Sequence, residues 1–328
     1  PTITANASMG LNNLNTRINM MNGDEYIQYL FDSGQGTTVD GVLDQNEVEN
    51  YVAGQPVDWQ DALLQTGKVY NASVGVSGGS DQIRYYLNGD IYMEEGIVQS
   101  SDYNRYSLRM NADYTPNDFI KVGTRVQLTK SFSDETSNVI QDFPGGNGGF
   151  APFIPILENT PLGDIYDDEG NYVKYVRDDK FQINPFHRYN ESQVDRFVTR
   201  SYVNPYLELQ IIDGLSYTLN TFAEERSQFF GRFTSSNYGD GDPSTAQIQE
   251  QTSTNYLLDN ILSYKKIFGA HGINATFVYG FQKNEWQQMD AFSDKLGTDL
   301  LGYHAIDLSA SEDQRFSWDT DEWGRAYL

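Results

Sequence analysis

Few residue sets in this chain are spaced for catalysis or metal binding. Glu94-Glu95 and Glu224-Glu225 are adjacent carboxylates. On a strand, neighbours point to opposite faces, so neither pair can act jointly as the acid and base of glycoside hydrolysis. The three histidines, His187, His271 and His304, are scattered without ligand spacing, and the chain has no cysteine. Disulfides, thiolate metal sites and a cysteine nucleophile are therefore excluded. Asp167-Asp168-Glu169-Gly170-Asn171 and Asp240-Gly241-Asp242 could offer oxygen ligands to Ca²⁺. Neither matches a twelve-residue calcium loop, and a solvated acidic loop explains both more simply. No resident metal, no other cofactor and no enzymatic activity are expected.

The remaining candidates would bind rather than react. Arg105, Arg109, Asp113 and Arg125 fall on the polar sides of alternating segments. There they either contact a guest molecule or pair with one another and with Asp90 or Asp259 as structural charges. Phe150, Tyr166, Tyr172, Tyr175 and Tyr238 lie in long polar connections, with Phe153 nearby. Aromatic faces there can stack on sugars or anchor a peptide, or pack the connections against each other or a partner.

The elements that carry these residues alternate with period two. Tyr106, Leu108, Met110, Ala112 and Tyr114 take one face of their segment, and Arg105, Ser107, Arg109, Asn111 and Asp113 the other. Ile120, Val122, Val126 and Leu128 oppose Lys121, Arg125, Gln127 and Thr129. Ile273, Ala275, Phe277, Tyr279 and Phe281 oppose Asn274, Thr276, Gly280 and Gln282. The pattern predicts ten strands, at 2–9, 68–78, 82–97, 103–115, 119–133, 196–212, 215–230, 252–267, 272–288 and 318–328. Several exceed the usual strand of about 5–6 residues.

Tight turns are predicted at Ser77–Asp81, Thr115–Asp118, Asp213-Gly214 and Phe268–His271, each rich in Gly, Pro, Asn or Asp. Long connections alternate with them: 10–67, 134–195, 231–251 and 289–317, with only 98–102 short. Helical pieces are expected at Asp24–Phe31 and Asp44–Tyr51, capped by Asp24 and Asp44. Prolines and glycines from Pro144 to Pro161 favour irregular structure there.

The chain carries 46 acids and 22 bases, for a net charge of −24. The four long connections hold 30 of the acids and 8 of the bases, so the acidity belongs to one end. This excludes a phosphate-tracking nucleic-acid partner. Mean hydropathy is −0.57, and no run of 18 apolar residues exists, so helical spans are excluded. Strand spans are not, because a transmembrane strand needs only one apolar face. Long amphipathic strands with alternating short turns and long loops predict an all-β fold: an antiparallel transmembrane β-barrel segment with long extracellular loops. Tyr103, Tyr106, Tyr256 and Tyr264 are assigned to its interfacial belts.

Several segments, in order, resemble the SusC/RagA family of TonB-dependent outer-membrane transporters. Asp58-Trp59-Gln60-Asp61 through Thr66-Gly67 is similar to that family's DWQD segment. Asn71-Ala72-Ser73-Val74-Gly75-Val76-Ser77-Gly78-Gly79-Ser80 resembles its strand and glycine turn. Arg84-Tyr85-Tyr86, Glu95-Gly96-Ile97, Tyr103–Asn111, Lys121-Val122-Gly123, Asn184-Pro185 through Glu191 and Gly324-Arg325-Ala326-Tyr327 continue it.

The resemblance covers nearly all of residues 1–328. It implies that these residues form part of one barrel domain. A plug, a TonB box and about a dozen further strands would lie outside the chain, since the largest plugged transporters have about 22. It also implies an outer-membrane location in a Gram-negative bacterium, with a SusD-like surface lipoprotein as lid and TonB as energy source. The apolar faces would meet the lipid and lipopolysaccharide bilayer, and the cargo would be oligosaccharide or peptide. Two other readings stay open: a transport-inactive barrel scaffold in a larger outer-membrane assembly, and a secreted carbohydrate-binding β-sandwich.

Overall fold

In a computed structural model, residues 1–137, 154–177, 182–239 and 241–328 are described. Ten strands form one sheet in chain order, each antiparallel to the next. They are β1 (Thr2–Asn12), β2 (Gly67–Gly79), β3 (Ile83–Glu95), β4 (Asp102–Asn117) and β5 (Ile120–Asp134). β6 (Ser192–Ile212), β7 (Leu215–Thr234), β8 (Thr245–Phe268), β9 (His271–Ser293) and β10 (Gln314–Tyr327) complete the sheet.

The register separates the two faces cleanly. One cross-strand row runs Ile3, Val76, Leu87, Met110, Val126, Val203, Ala223, Tyr256. The adjacent row, one residue along, runs Thr4, Gly75, Asn88, Arg109, Gln127, Tyr202, Glu224, Asn255. Directly opposed residues share a face, so period-two alternation within strands becomes an apolar and a polar surface. Large apolar side chains on the first surface stand open to the surroundings, among them Leu108, Leu128, Leu258 and Phe277. Pro205 lacks a backbone donor, and the β6–β7 ladder skips there between Val203↔Ala223 and Tyr206↔Asn220. The Asn204 amide fills the gap by donating to the Thr221 carbonyl.

The tight turns fall where expected. Gly214 and Gly269 have φ of +85° and +61°, a region that costs a Cβ-bearing residue free energy. Asn117 Oδ1 closes the β4–β5 turn by accepting the N–H of Phe119 at 2.9 Å and of Ile120 at 3.0 Å.

At the opposite end the strands run further than alternation predicts. β8 has 24 residues and β9 has 23, so the connections shrink to 235–244 and 294–313. The added stretch Gln247-Ile248-Gln249-Glu250-Gln251 carries one apolar residue, Ile248, which packs with Phe233, Ala246 and Tyr303. Backbone pairing continues there without an amphipathic signature. Tyr103 also departs from expectation. It shares the polar face with Arg105 and lies 6.1 Å from the Tyr92 ring, whereas Tyr106 and Tyr256 stand on the apolar face as belt residues would.

The β1–β2 connection holds α1 (Gly23–Asp32), α2 (Val39–Val42), α3 (Gln45–Ala53) and α4 (Trp59–Leu63). The β5–β6 connection holds α5 (Ile154–Glu158) and α6 (Pro185–Asn190). α3 is capped by Asp44 as expected, with Glu47 Oε2 accepting the Asp44 N–H at 3.0 Å. α1 is capped by Asn22 and not by Asp24. Glu25 stands three residues after Asn22, and the two exchange bonds of 3.0 Å, the reciprocal geometry of a capping box. Asp24 instead accepts the Tyr51 hydroxyl at 2.9 Å.

The two faces make opposite predictions for the same charge. Leu108→Arg places a guanidinium on the apolar face and is expected to cost about 2–4 kcal/mol in lipid vesicles. Ser107→Arg, one residue away on the polar face, is expected to cost well under half of that. Urea titration of both variants of the intact protein checks the assignment.

Candidate functional site

The register gathers Arg105, Arg109, Asp113 and Arg125 on the polar face of β4 and β5. Their partners differ. Arg105 lies 3.5 Å from Asp90, with its guanidinium 5.5 Å from the Tyr92 ring centre. Arg109 donates through Nε and Nη2 to Gln127 Oε1, at 3.3 and 3.1 Å. Gln127 Oε1 also accepts the Tyr202 hydroxyl at 3.2 Å. Asp113 accepts the Tyr206 hydroxyl at 2.7 Å, and Arg125 sits 5.1 Å over the Tyr206 ring. Asp259, considered as a partner for these arginines, accepts the Tyr327 hydroxyl instead.

Gly123 makes the Tyr206 arrangement possible. A Cβ there would overlap both the Tyr206 ring and Asp113 Oδ1. The ring therefore crosses the middle strand β5 at glycine, tying β6 to β4. The same staple recurs at Gly280, where the Tyr327 ring crosses β9 to reach Asp259 on β8. These two staples account for Gly123 of the Lys121-Val122-Gly123 motif and Tyr327 of the Gly324-Arg325-Ala326-Tyr327 motif. Alternation alone shows no signal for them, because each joins residues on three strands.

The connections at the other end interlock. Trp59 is buried with Leu63, Val98, Ile156, Val176, Phe186 and Tyr189, drawn from three different connections. Its indole N–H donates to the Thr160 carbonyl at 2.8 Å. Gln60 clamps the Ile18 backbone by accepting its N–H at 3.0 Å and donating to its carbonyl at 2.7 Å. Asp58 caps α4, and Asp61 pairs with Arg17. The Asp58–Asp61 motif thus locks the β1–β2 connection onto the β5–β6 connection.

A second lock is Arg177. It donates to the Tyr26 hydroxyl at 2.9 Å and lies 3.4 Å from the fully buried Glu47 and 3.6 Å from Asp44. Burial pushes the Glu47 carboxyl above its ordinary range, against the pull of its hydrogen-bond donors and of Arg177. Asp164 holds α3 from the other side, accepting Asn46 at 2.9 Å and Asn50 at 2.7 Å.

The shorter connections join the same body. His187 Nε2 donates to the Asn237 carbonyl at 2.9 Å, and Ser236 donates to Asp299 at 2.7 Å. The Tyr303 hydroxyl donates to Asp195 at 2.7 Å. None of these long-range contacts carries a local sequence signal.

Of the aromatic candidates, Tyr166, Tyr172 and Phe186 stack in a column with ring separations of 5.0 and 5.5 Å. Tyr166 is its exposed end. Tyr175 lies beside Lys174, 5.7 Å from its ammonium, and Tyr238 lies under the Arg188 guanidinium at 5.6 Å. Phe150 and Phe153 fall outside the described residues.

The acidic runs form no ligand cluster in what is described. Asp167 Oδ1 accepts the N–H of Glu169 at 3.1 Å and of Asn171 at 2.7 Å, closing a turn in which Gly170 has φ +85°. Asp240 lies outside the described residues. Among the described residues no three carboxylate or imidazole groups converge as metal ligands.

No family model matches the chain. TonB-dependent receptor P3 of Formosa agariphila is 30% identical over 314 residues, spanning 94% of this chain and 30% of that protein. TonB-dependent receptor SusC of Bacteroides thetaiotaomicron is 22% identical over 195 residues, 58% of this chain and 18% of that protein. A solved structure of the RagAB peptide transporter superposes with a TM-score of 0.83 at 18% identity, covering 99% of this chain and 39% of that one.

The chain belongs to the SusC/RagA family of TonB-dependent receptors. It spans about a third of the length of such relatives. SusC/RagA proteins are outer-membrane proteins of Gram-negative bacteria, and they are transporters and not enzymes. The ten-stranded sheet is accordingly a segment of a transmembrane barrel wall. In such a wall the apolar face meets lipid and the polar face meets the lumen.

Two outcomes test this geometry. Gly123→Ala pushes the Tyr206 ring off Asp113 and is expected to cost about 1–3 kcal/mol as an overpacking change. It should appear as a lowered thermal midpoint of the intact protein in detergent. His187, buried in α6, has its imidazole held below the ordinary histidine range, chiefly by burial. Its neutral form stabilises the fold above the unfolded-state value, and this is lost as pH falls through the lower folded value. Cleavage near α6 by an acid-tolerant protease should therefore rise as pH drops from neutral toward the acid side of that window. The rise should be flattened in His187→Gln.

Proposed function

We propose that this chain supplies part of the wall and of the outer rim of an importer. That importer would move oligosaccharide or peptide nutrients across the outer membrane, driven by TonB. Strands, a plug and a TonB box outside the chain complete the protein on this reading. The packed loop end faces outward and receives a SusD-like surface lipoprotein as lid. Arg105, Arg109, Asp113 and Arg125 line the lumen within reach of plug or cargo. Tyr166, Tyr172, Tyr175 and Tyr238, with Phe150, belong to the loop surface that meets cargo or lid.

The observation that carries this reading is the joining of all the long connections into one acidic body above a polar-faced wall. The connections hold 26 acids and 6 bases. An acidic rim lowers the local concentration of polyanions and favours neutral or cationic cargo. A free-standing receptor segment would have no reason to bury Trp59, Glu47 and Arg177 between loops. A surface that must seat a lid repeatedly needs such rigidity.

The test is extraction of the intact protein in mild detergent, followed by mass spectrometry of what co-purifies. A single surface lipoprotein in equal amount is the expected result. A set of unrelated outer-membrane proteins without such a lipoprotein would replace the importer with an assembly scaffold.

A further inference from the structure

We propose that Lys68, Lys130 and Lys283 form a level belt on the outside of the wall, which seats the phosphates of outer-leaflet lipopolysaccharide. This rests on the transport reading only in that the loop end faces outward. The belt lies on the apolar face of β2, β5 and β9, all inner strands of the sheet. Neither a plug inside the barrel nor strands added beyond β1 and β10 would cover it.

The two faces of the sheet divide their bases by type. Every arginine of the ten strands stands on the polar face, among them Arg84, Arg196 and Arg325. Among the described residues, the bases of the apolar face are all lysines: Lys68, Lys130, Lys266 and Lys283. A lysine can lay its stem along apolar surface and raise its ammonium to the headgroups.

Their heights follow from the register. Measured from the apolar row through Val76, Met110, Val126 and Tyr256, the tight turns step steadily away. Gly79 lies three residues from Val76, Asn117 seven from Met110 and Phe268 twelve from Tyr256. Turns at one membrane surface therefore require leaning strands, and barrel walls lean by about 40°. At that tilt each strand crossed lifts the row by about 3 Å, and each residue along a strand spans about 2.5 Å of height. Lys68 stands eight residues above Val76, Lys130 four above Val126, and Lys283 directly opposite Tyr256. These steps offset the lift, so the three come level to within about 3 Å. Lys266 falls roughly 25 Å below them, the height of the apolar band in such barrels.

Each lysine of the upper border has a tyrosine beside it. Tyr106 is the direct cross-strand partner of Lys130, and Tyr256 of Lys283. Tyr70 stands two residues from Lys68 on the same face of β2. All three rings are exposed. An ammonium beside a phenol O–H is a donor pair for one phosphate. Carboxylates stand at this level or further out: Glu225 on β7, Glu95 beside Lys68, and Glu285 and Glu322 beside Lys283. Exposed ion pairs of this kind are weak, so a phosphate can share each ammonium. The lysines are three and four strands apart, and each meets a different lipid molecule.

The test is titration of the intact protein in detergent with bis-phosphorylated lipid A, read by native mass spectrometry. Lys68→Gln, Lys130→Gln and Lys283→Gln should each weaken one binding step by about tenfold, the worth of one charge-assisted hydrogen bond. Lys121→Gln, on the polar face, should leave every step unchanged. Lipid A stripped of its phosphates should bind wild type and variants alike.

Unchanged affinity in the triple variant, or an equal loss with dephosphorylated lipid A, overturns the belt. An equal lysine dependence with phosphatidylglycerol overturns the assignment to lipopolysaccharide. In whole cells, a membrane-impermeant amine reagent should label the exposed Lys295 of the β9–β10 connection. Labelling of Lys295 only after lysis overturns the outward orientation and the transport reading with it, and the titration alone then decides the belt.

Discussion

Hydrocarbon offers nothing for a backbone N–H or C=O to bond with, and each unpaired group there costs several kcal/mol. That constraint shapes this chain before any side chain acts. Ten strands in chain order, each antiparallel to the next, satisfy interior backbone groups with neighbours close in sequence. Every residue then points to one of two surfaces, and the two cross-strand rows through Met110 and Arg109 show the division at one-residue resolution. The arginines occupy the polar surface because the other surface excludes charge. Exclusion alone does not set their partners. Those follow from which residues the register places opposite them: Gln127 for Arg109, Tyr206 within reach of Arg125, Asp90 within reach of Arg105.

This division explains what could be read in advance. All ten strands were visible in period-two alternation, and the tight turns in their Gly, Pro, Asn and Asp residues, because both are local signals. Strand ends beyond the apolar band were not visible. Around Gln247–Gln251 the strand carries a single apolar residue, Ile248, covered by the connection that holds Tyr303, so pairing persists while alternation fades. Tyrosine suits an interfacial belt and a polar wall alike, so only the register sets Tyr103 apart from Tyr106. Asp24 is the expected cap of α1, but Glu25 stands at capping-box spacing from Asn22, and Asn22 holds that end. At the candidate site, the shared face of the four charged residues was legible. Their individual partners, the two glycine staples and the locks at Trp59 and Arg177 were not, since each joins residues distant along the chain.

The loop end follows a different physics from the wall. Its parts are short helices, several of them too brief to persist alone. They are held by buried polar pairs as much as by apolar packing. Arg177 against Glu47 and Asp44 costs desolvation, and such a pair is weak evidence of net stability. It does demand one geometry: α1, α2 and α3 all present atoms to a single guanidinium. The same economy appears at Asp164, one carboxylate serving two asparagines of α3. Specific polar locks are what a body made of connections can use where no continuous core is available.

The overreach of β8 and β9 separates these two regimes in space. At about 3.3 Å per residue, the 24 residues of β8 reach roughly 80 Å along the strand, against a hydrocarbon layer of about 30 Å. Even with the tilt of a barrel wall, much of that length stands clear of lipid. The loop body is therefore carried on a stiff collar. Variation in bilayer thickness acts on the apolar belt and dissipates along the collar before it reaches Trp59 or Arg177. Conversely, insertions that remodel the loop body need not disturb how the wall sits in its membrane. One wall can so be fitted with many different mouths.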